Sequence, residues 1–257
     1  MLHMNGSVSI LKMMTDELQK ASVDIGYMKT TYKNLQVLIE NEFSVSDHRR
    51  RCMGYFAASM RRAMKSNVAE VTRVLNDPQI ATIPVDRVNA YKLLNELSRI
   101  LLAGSGSDRD KAIGLSFAYS HAVEGVYKKS VQECYIWHKL GVREHIDTKA
   151  VPRMDVAKVR DYYTSKNLDT SIFEGYNRTV RNAVSHTTFR FDDTIQKMIY
   201  EDRQSGDKAT YSFMELHSLY QNIWDVLELM LAKNQVLIVH DVCMAIFKRK
   251  GETKLMP

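Results

Sequence analysis

The run SIFEGYNRTVRNAVSHTTFRFDD, residues 171–193, changes character at its middle, and that change decides the fold class. In its first half Ile172, Phe173, Tyr176, Val180, Ala183 and Val184 recur at intervals of three and four, the spacing of a helix with one face against a core. From its second half onward, TTFRF and IQKMIY are rich in β-branched and aromatic residues, RQSGDK reads as a glycine turn and ATYSF as a returning strand. The expectation is a helix over about 171–185 followed by a short β-hairpin over about 188–213.

Outward from this junction the pattern is helical. SVSILKMMTDELQKASVDIGYMKTTYKNLQVLIENEF has apolar residues at helix spacing, with Gly26 as its weak point. A second helix runs from Asp47 to about Leu75 and stops at NDPQ, where Pro78 forbids continuation. After the apolar connector IATIPV, Asp86 is the candidate cap of a third helix, VNAYKLLNELSRILLA, which the loop GSGSD at 104–108 ends. A fourth, DKAIGLSFAYSHAVEGVYKKSVQECYIWHKLG, reaches Gly141 with a possible break near Gly125, and DVAKVRDYYTSKN is patterned as a helix too. FMELHSLYQNIWDVLELMLAK carries a last apolar stripe. The fold class is therefore mainly α, four or more long helices with one β excursion. Residues 1–44 read as an N-terminal helical extension packed on the bundle, and 45–257 as the helical domain, with no repeat or flexible linker between them.

Composition agrees with a soluble globular protein: of 257 residues, 45% are hydrophobic and 26% charged, while eleven glycines and four prolines leave little punctuation for an all-β chain. Cys52, Cys134 and Cys243 are few, odd in number and far apart, which argues against a disulfide framework or a zinc site. No stretch approaches a membrane span, and MLHMNGSVS lacks the basic start and apolar run of an export signal. A cytoplasmic protein without membrane contact is expected.

A net charge of +6 and a pI near 9.1 are compatible with a polyanionic partner. The segment DHRRRCMGYFAASMRRAMK concentrates Arg49, Arg50, Arg51, Arg61, Arg62 and Lys65 against one acid, and FKRKGETK repeats the pattern near the end. Either run is also what a solvated helix face or a tail would show.

Chemistry is sparse. GSGSD lacks the preceding strand and following lysine of a phosphate loop. His138 and His145 flank Gly141 with only Glu144 and Asp147 nearby, and no metal or other cofactor is expected. His121 and His217 sit among apolar neighbours as core or surface histidines, and none of the cysteines has a histidine motif beside it. RNAVSH, residues 181–186, survives the exclusion. Its bare pattern proves little, since 17 arginines and 8 histidines in 257 residues supply about 1.6 matches to R-x4-6-H by chance. Its place matters more, because Arg181, Asn182 and His186 lie off the apolar stripe where helix gives way to strand. Asn182 and His186 are four apart and share a face, and Arg181 is long enough to curl towards them. Histidine moves protons near neutral pH, arginine offers a planar fork to phosphate, and asparagine can orient either. Together they suit metal-free attack of an RNA 2′-hydroxyl on the adjacent phosphorus. One histidine cannot easily serve both oxygens, so a symmetric dimer joining two motifs is a natural solution.

The run Arg181-Asn182-x3-His186 resembles the signature of the HEPN superfamily (higher eukaryotes and prokaryotes nucleotide-binding), in which the residue after the arginine is commonly Asn, Asp or His. The helical lead-in, the LNDPQI segment and the hairpin after the motif are similar to bacterial abortive-infection and toxin members. The resemblance implies a helical bundle, dimerisation that brings two motifs together, and metal-independent endoribonuclease action leaving a 2′,3′-cyclic phosphate. Arg181, Asn182 and His186 would be its site residues, and an antitoxin or regulatory protein a further partner. Arg178 and Arg190, with Arg49, Arg50, Arg51, Arg61 and Arg62, are candidate RNA contacts. Two alternatives stand beside it: an inert HEPN scaffold or nucleotide- or RNA-binding module, and an unrelated helical protein in which His186 merely sits favourably at a helix C-terminus.

Overall fold

The computed structural model describes residues 47–66, 68–102 and 106–230. The expected extension over 1–44, Cys243 and the basic FKRKGETK run lie outside the described residues. The chain divides into two units, Arg51–Leu227, and Met1–Arg50 with Glu228–Pro257. Of the second unit residues 47–50 and 228–230 are described, all helical.

The first unit is mainly helical with a small three-stranded antiparallel sheet. Helix α1 (Asp47–Ser66) buries Cys52, Phe56, Met60 and Ala63, one face at intervals of three and four. After the short α2 (Val68–Leu75), α3 spans Pro78–Leu102. The sequence places that helix later, with Asp86 as its cap. Instead Pro78 opens it, where a missing N–H costs nothing, and the Asp77 carboxylate accepts from Gln79 N at 2.9 Å. The supposed connector IATIPV is helical because Ile80 and Ile83 share a buried face with Arg87 and Leu94, despite Pro84 inside the helix. Asp86 instead pairs with Lys129 at 3.1 Å.

The expected break near Gly125 is a bulge. α4 (Asp108–Ala122) begins at a capping box of Ser107 and Asp110, passes through one π turn (Val123–Tyr127), and continues as α5 (Lys128–Gly141). A Cβ on Gly125 would meet that of Ala90 on α3 at 3.1 Å, so the glycine permits a close helix approach there. α6 (Val156–Ser165) follows, capped by Asp155. Among the described residues no helix is long and apolar enough to cross a membrane.

The expected helix over 171–185 divides in two. Ser171–Phe173 is a single 3-10 turn, and α7 covers only Arg178–Ser185. Two tyrosines of the α4–α5 rod interrupt it: the Tyr119 hydroxyl donates to Gly175 O at 2.8 Å and accepts from Asn177 N at 2.7 Å, while Tyr127 donates to Ile172 O. Gly175 is pressed against the helical stretch 213–230 (α8), where a Cβ would come within 2.9 Å of Ile223 N. Asn177 restarts the helix by accepting from Val180 N.

Strands β1 (Phe189–Asp192), β2 (Lys197–Glu201) and β3 (Lys208–Tyr211) form a meander in that order, so the expected hairpin is a pair of hairpins sharing β2. The register sets Phe189 against Tyr200 and Met198 against Tyr211. Alternation sends Met198 and Tyr200 inward, where the Tyr200 and Ser116 hydroxyls lie 2.6 Å apart. This sheet packs on α7, and α7 packs on α4.

Candidate functional site

Helix α7 presents the motif. Val180, Ala183 and Val184 are buried, which turns Arg178, Arg181 and Ser185 outward. Arg181 is half-buried. Its Nε donates to Glu124, and its Nη1 donates to Asn182 Oδ1 at 2.7 Å. Glu124 is the second residue of the π turn. Asn182 in turn donates from Nδ2 to Asp202 Oδ2 at 2.5 Å. Since arginine can only donate and a carboxylate only accept, these partners leave the Asn182 amide a single orientation.

This arrangement corrects the expected convergence of all three residues on one exposed face. Asn182 is only 4% exposed and turns towards Asp202, which is itself buried. His186 is the C-cap of α7; its N–H donates to Asn182 O at 3.0 Å, and its exposed imidazole has no hydrogen-bond partner among the described residues. His186 lies five positions after Arg181, which is about 140° around a helix. Within one chain the structure joins Arg181 to Asn182 and leaves the histidine apart. Thr187 then takes a left-handed φ of 53°, and Thr188 N donates to Ala183 O, ending the helix and sending the chain into β1.

Several neighbours escaped the sequence reading. Tyr176 is half-buried at the start of the motif segment, with the Arg160 guanidinium 5.5 Å from its ring centre. Burial pushes its phenol pKa up, while the positive charges of Arg181, Arg160 and Arg178 pull against that rise. Arg160 is thus the cation that lies over this ring. The Asp202 carboxyl is held below its ordinary range, chiefly by the Asn182 hydrogen bond, with Gln204 N helping from the turn. No spacing rule finds Glu124, Arg160 or Asp202, because each reaches the motif from another element.

The other candidate RNA contacts are scattered. Arg178 is exposed at the first residue of α7, and Arg190 is exposed on β1. Arg61 and Arg62 are exposed on α1. Arg51 is not free, because it pairs with Glu174 at 2.7 Å. The backbones of Arg49 and Arg50 are helical and their side chains lie outside the described set.

Of the remaining histidines and cysteines, His138 is buried with its Nδ1 2.8 Å from the Tyr55 hydroxyl, a satisfied core histidine. Burial pushes its pKa down. Cys52 and Cys134 are buried and form no disulfide among the described residues.

Comparison with family models, with curated proteins and with solved structures yields no match.

Proposed function

We propose that this chain is a metal-independent endoribonuclease of HEPN type, acting as a toxin or anti-phage defence effector. The observation that carries this reading is the pairing, on one short helix, of a guanidinium fixed by Glu124 and Asn182 with an exposed imidazole at the C-cap.

In the reaction the RNA 2′-oxygen attacks the adjacent phosphorus, the bond from phosphorus to the 5′-oxygen breaks, and a 2′,3′-cyclic phosphate and a 5′-hydroxyl result. One His186 takes the 2′-hydroxyl proton. Arg181 stabilises the charge that grows on the phosphoryl oxygens through the N–H groups that Glu124 and Asn182 leave free. The leaving 5′-oxygen needs a proton from a second donor. A second copy of the chain supplies it, with its own His186 across a two-fold axis. The partners under this reading are RNA, a second copy, and an antitoxin or regulatory protein that restrains the activity. Arg178, exposed at the start of α7, and Arg160, beside Tyr176, hold the RNA backbone on this reading, without reading sequence.

The inert-module alternative draws on one feature, the carboxylate of Glu124 already paired with Arg181. The two readings part in a single assay. Purified protein incubated with RNA in EDTA should yield cyclic-phosphate ends, with the rate falling about 10²- to 10⁴-fold in Arg181→Ala or His186→Ala. Undiminished cleavage by folded His186→Ala would end the ribonuclease reading, and RNA retained without cleavage by the wild type would favour the binding module.

A further inference from the structure

Asp202 follows the last residue of β2 and begins the turn into β3, 20 residues after Asn182. It is 1% exposed, and a buried carboxylate requires donors. Its backbone is locked on both sides: its N–H donates to Asp207 O at 2.9 Å, and its carbonyl accepts from Gly206 N at 2.7 Å. Gly206 has a φ of 77°, a conformation that favours glycine. One carboxylate oxygen, Oδ1, accepts from Gln204 N at 3.0 Å and belongs to the turn. The other, Oδ2, points out of the turn to Asn182. The turn would close without that second contact, so its geometry assigns Oδ2 to the motif helix.

From there the chain of bonds runs one way. Asp202 fixes the amide face of Asn182, and Asn182 holds Nη1 of Arg181. Glu124 holds the Nε edge from the π turn. We propose that Asp202 is a positioning residue for Arg181, acting through Asn182, so that the β2–β3 turn sets the direction in which the guanidinium presents its remaining N–H groups. This gives the small sheet a role beyond covering the core: it carries the anchor of the motif arginine. The consequence for cleavage rests on the ribonuclease reading, whereas the orientation of Arg181 does not.

Two measurements on the full chain keep those apart. The first follows the side-chain Nε–H resonance of Arg181 by NMR, identified by its loss in Arg181→Lys, and reads rotation about the Nε–Cζ bond. Asp202→Ala should speed this rotation several-fold. Asp202→Asn keeps a single acceptor oxygen, enough to cap the turn at Gln204 N but not to accept from Asn182 as well, so it should speed the rotation as Asp202→Ala does while guarding against loss of the turn itself. Asn182→Ala should match Asp202→Ala, and the double variant should be no worse than either single one, because two members of one chain of bonds do not add. The second measurement is RNA cleavage, where Asp202→Ala and the turn-preserving Asp202→Asn should each lower kcat about 10- to 100-fold with KM little changed.

An Arg181 resonance unmoved by both Asp202 variants in folded protein would overturn the assignment. So would additive effects of Asn182→Ala and Asp202→Ala, or wild-type cleavage by both Asp202 variants. A wild type that cuts no RNA would remove the ribonuclease reading alone, and the resonance and its double-variant test would still decide the role of Asp202.

Discussion

Arg87 and Arg181 each face a glutamate from the same rod, Glu133 on α5 and Glu124 in the π turn. The first pair is dry, with side chains 0% and 8% exposed, and the second is wet, at 34% and 42%. Arg87 is enclosed in the core, with its Nε and Nη2 lacking a hydrogen-bond partner among the described residues. Trp137 donates from its indole to the same Glu133 at 3.4 Å. In the dry pair removal of either partner leaves the other's charge in the core without this contact, so the pair ties α3 to α5. In the wet pair water can replace either partner, and the guanidinium keeps an edge that a phosphate can reach. The same two residue types thus serve packing in one place and suit ligand binding in the other, and burial alone makes the difference.

The sharpest way to break that comparison is to truncate both arginines. Arg87→Ala should lower unfolding free energy by about 3–5 kcal/mol, because Glu133 is left charged and buried. Arg181→Ala should cost only about 1–2 kcal/mol, mainly from the unmatched Asn182 Oδ1, which water can reach through the vacated space. Urea titrations of the two variants measure this, and equal losses would refute the division into dry and wet pairs.

A smaller effect is expected at the loop that delivers α7. Gly175→Ala places a methyl 2.9 Å from Ile223 N and 3.0 Å from Leu219 O, both backbone atoms of α8 that cannot rotate away. A loss of about 1–3 kcal/mol in the same titration is the expected outcome. A neutral substitution would show that the approach of the loop to α8 is slack.

The smallest effect tests, through pH, the buried carboxylate behind the wet pair. The folded pKa of Asp202 lies below its unfolded value of about 3.9, so the folded state favours the ionised form. Its contribution is fully present above about pH 4 and is lost as pH falls through the lowered folded value. Asp202→Asn should flatten this part of the acid limb below about pH 5, read by thermal midpoints of variant and wild type. Parallel limbs would mean that the carboxylate is not held as described.

Much of the fold was legible in the chain. The helical character, the stripes on α1 and α7 and the switch to strands after His186 follow from hydrophobic spacing, which reports each element's own buried face. The stop at NDPQ holds, since α2 ends at Leu75, but that Pro78 also opens α3 is not legible, because a proline that ends one helix and one that begins the next look the same from the chain alone. The possible break near Gly125 is a π turn, which spacing cannot show, and α3 presses close beside it. The single helix over 171–185 failed at Gly175, where Tyr119, Tyr127 and α8, all distant in sequence, capture the backbone.

For the site, sequence by itself determined which residue types stand together: an arginine, an asparagine and a histidine at one helix end. Helix geometry even placed Asn182 and His186 within about 40° of each other. Only the tertiary structure decided their surroundings. It turned Asn182 inward to Asp202, set Glu124 against Arg181, and left His186 exposed. Spacing along a chain specifies which face of a helix a residue occupies, but the partners of a polar side chain come from whichever elements pack against that face.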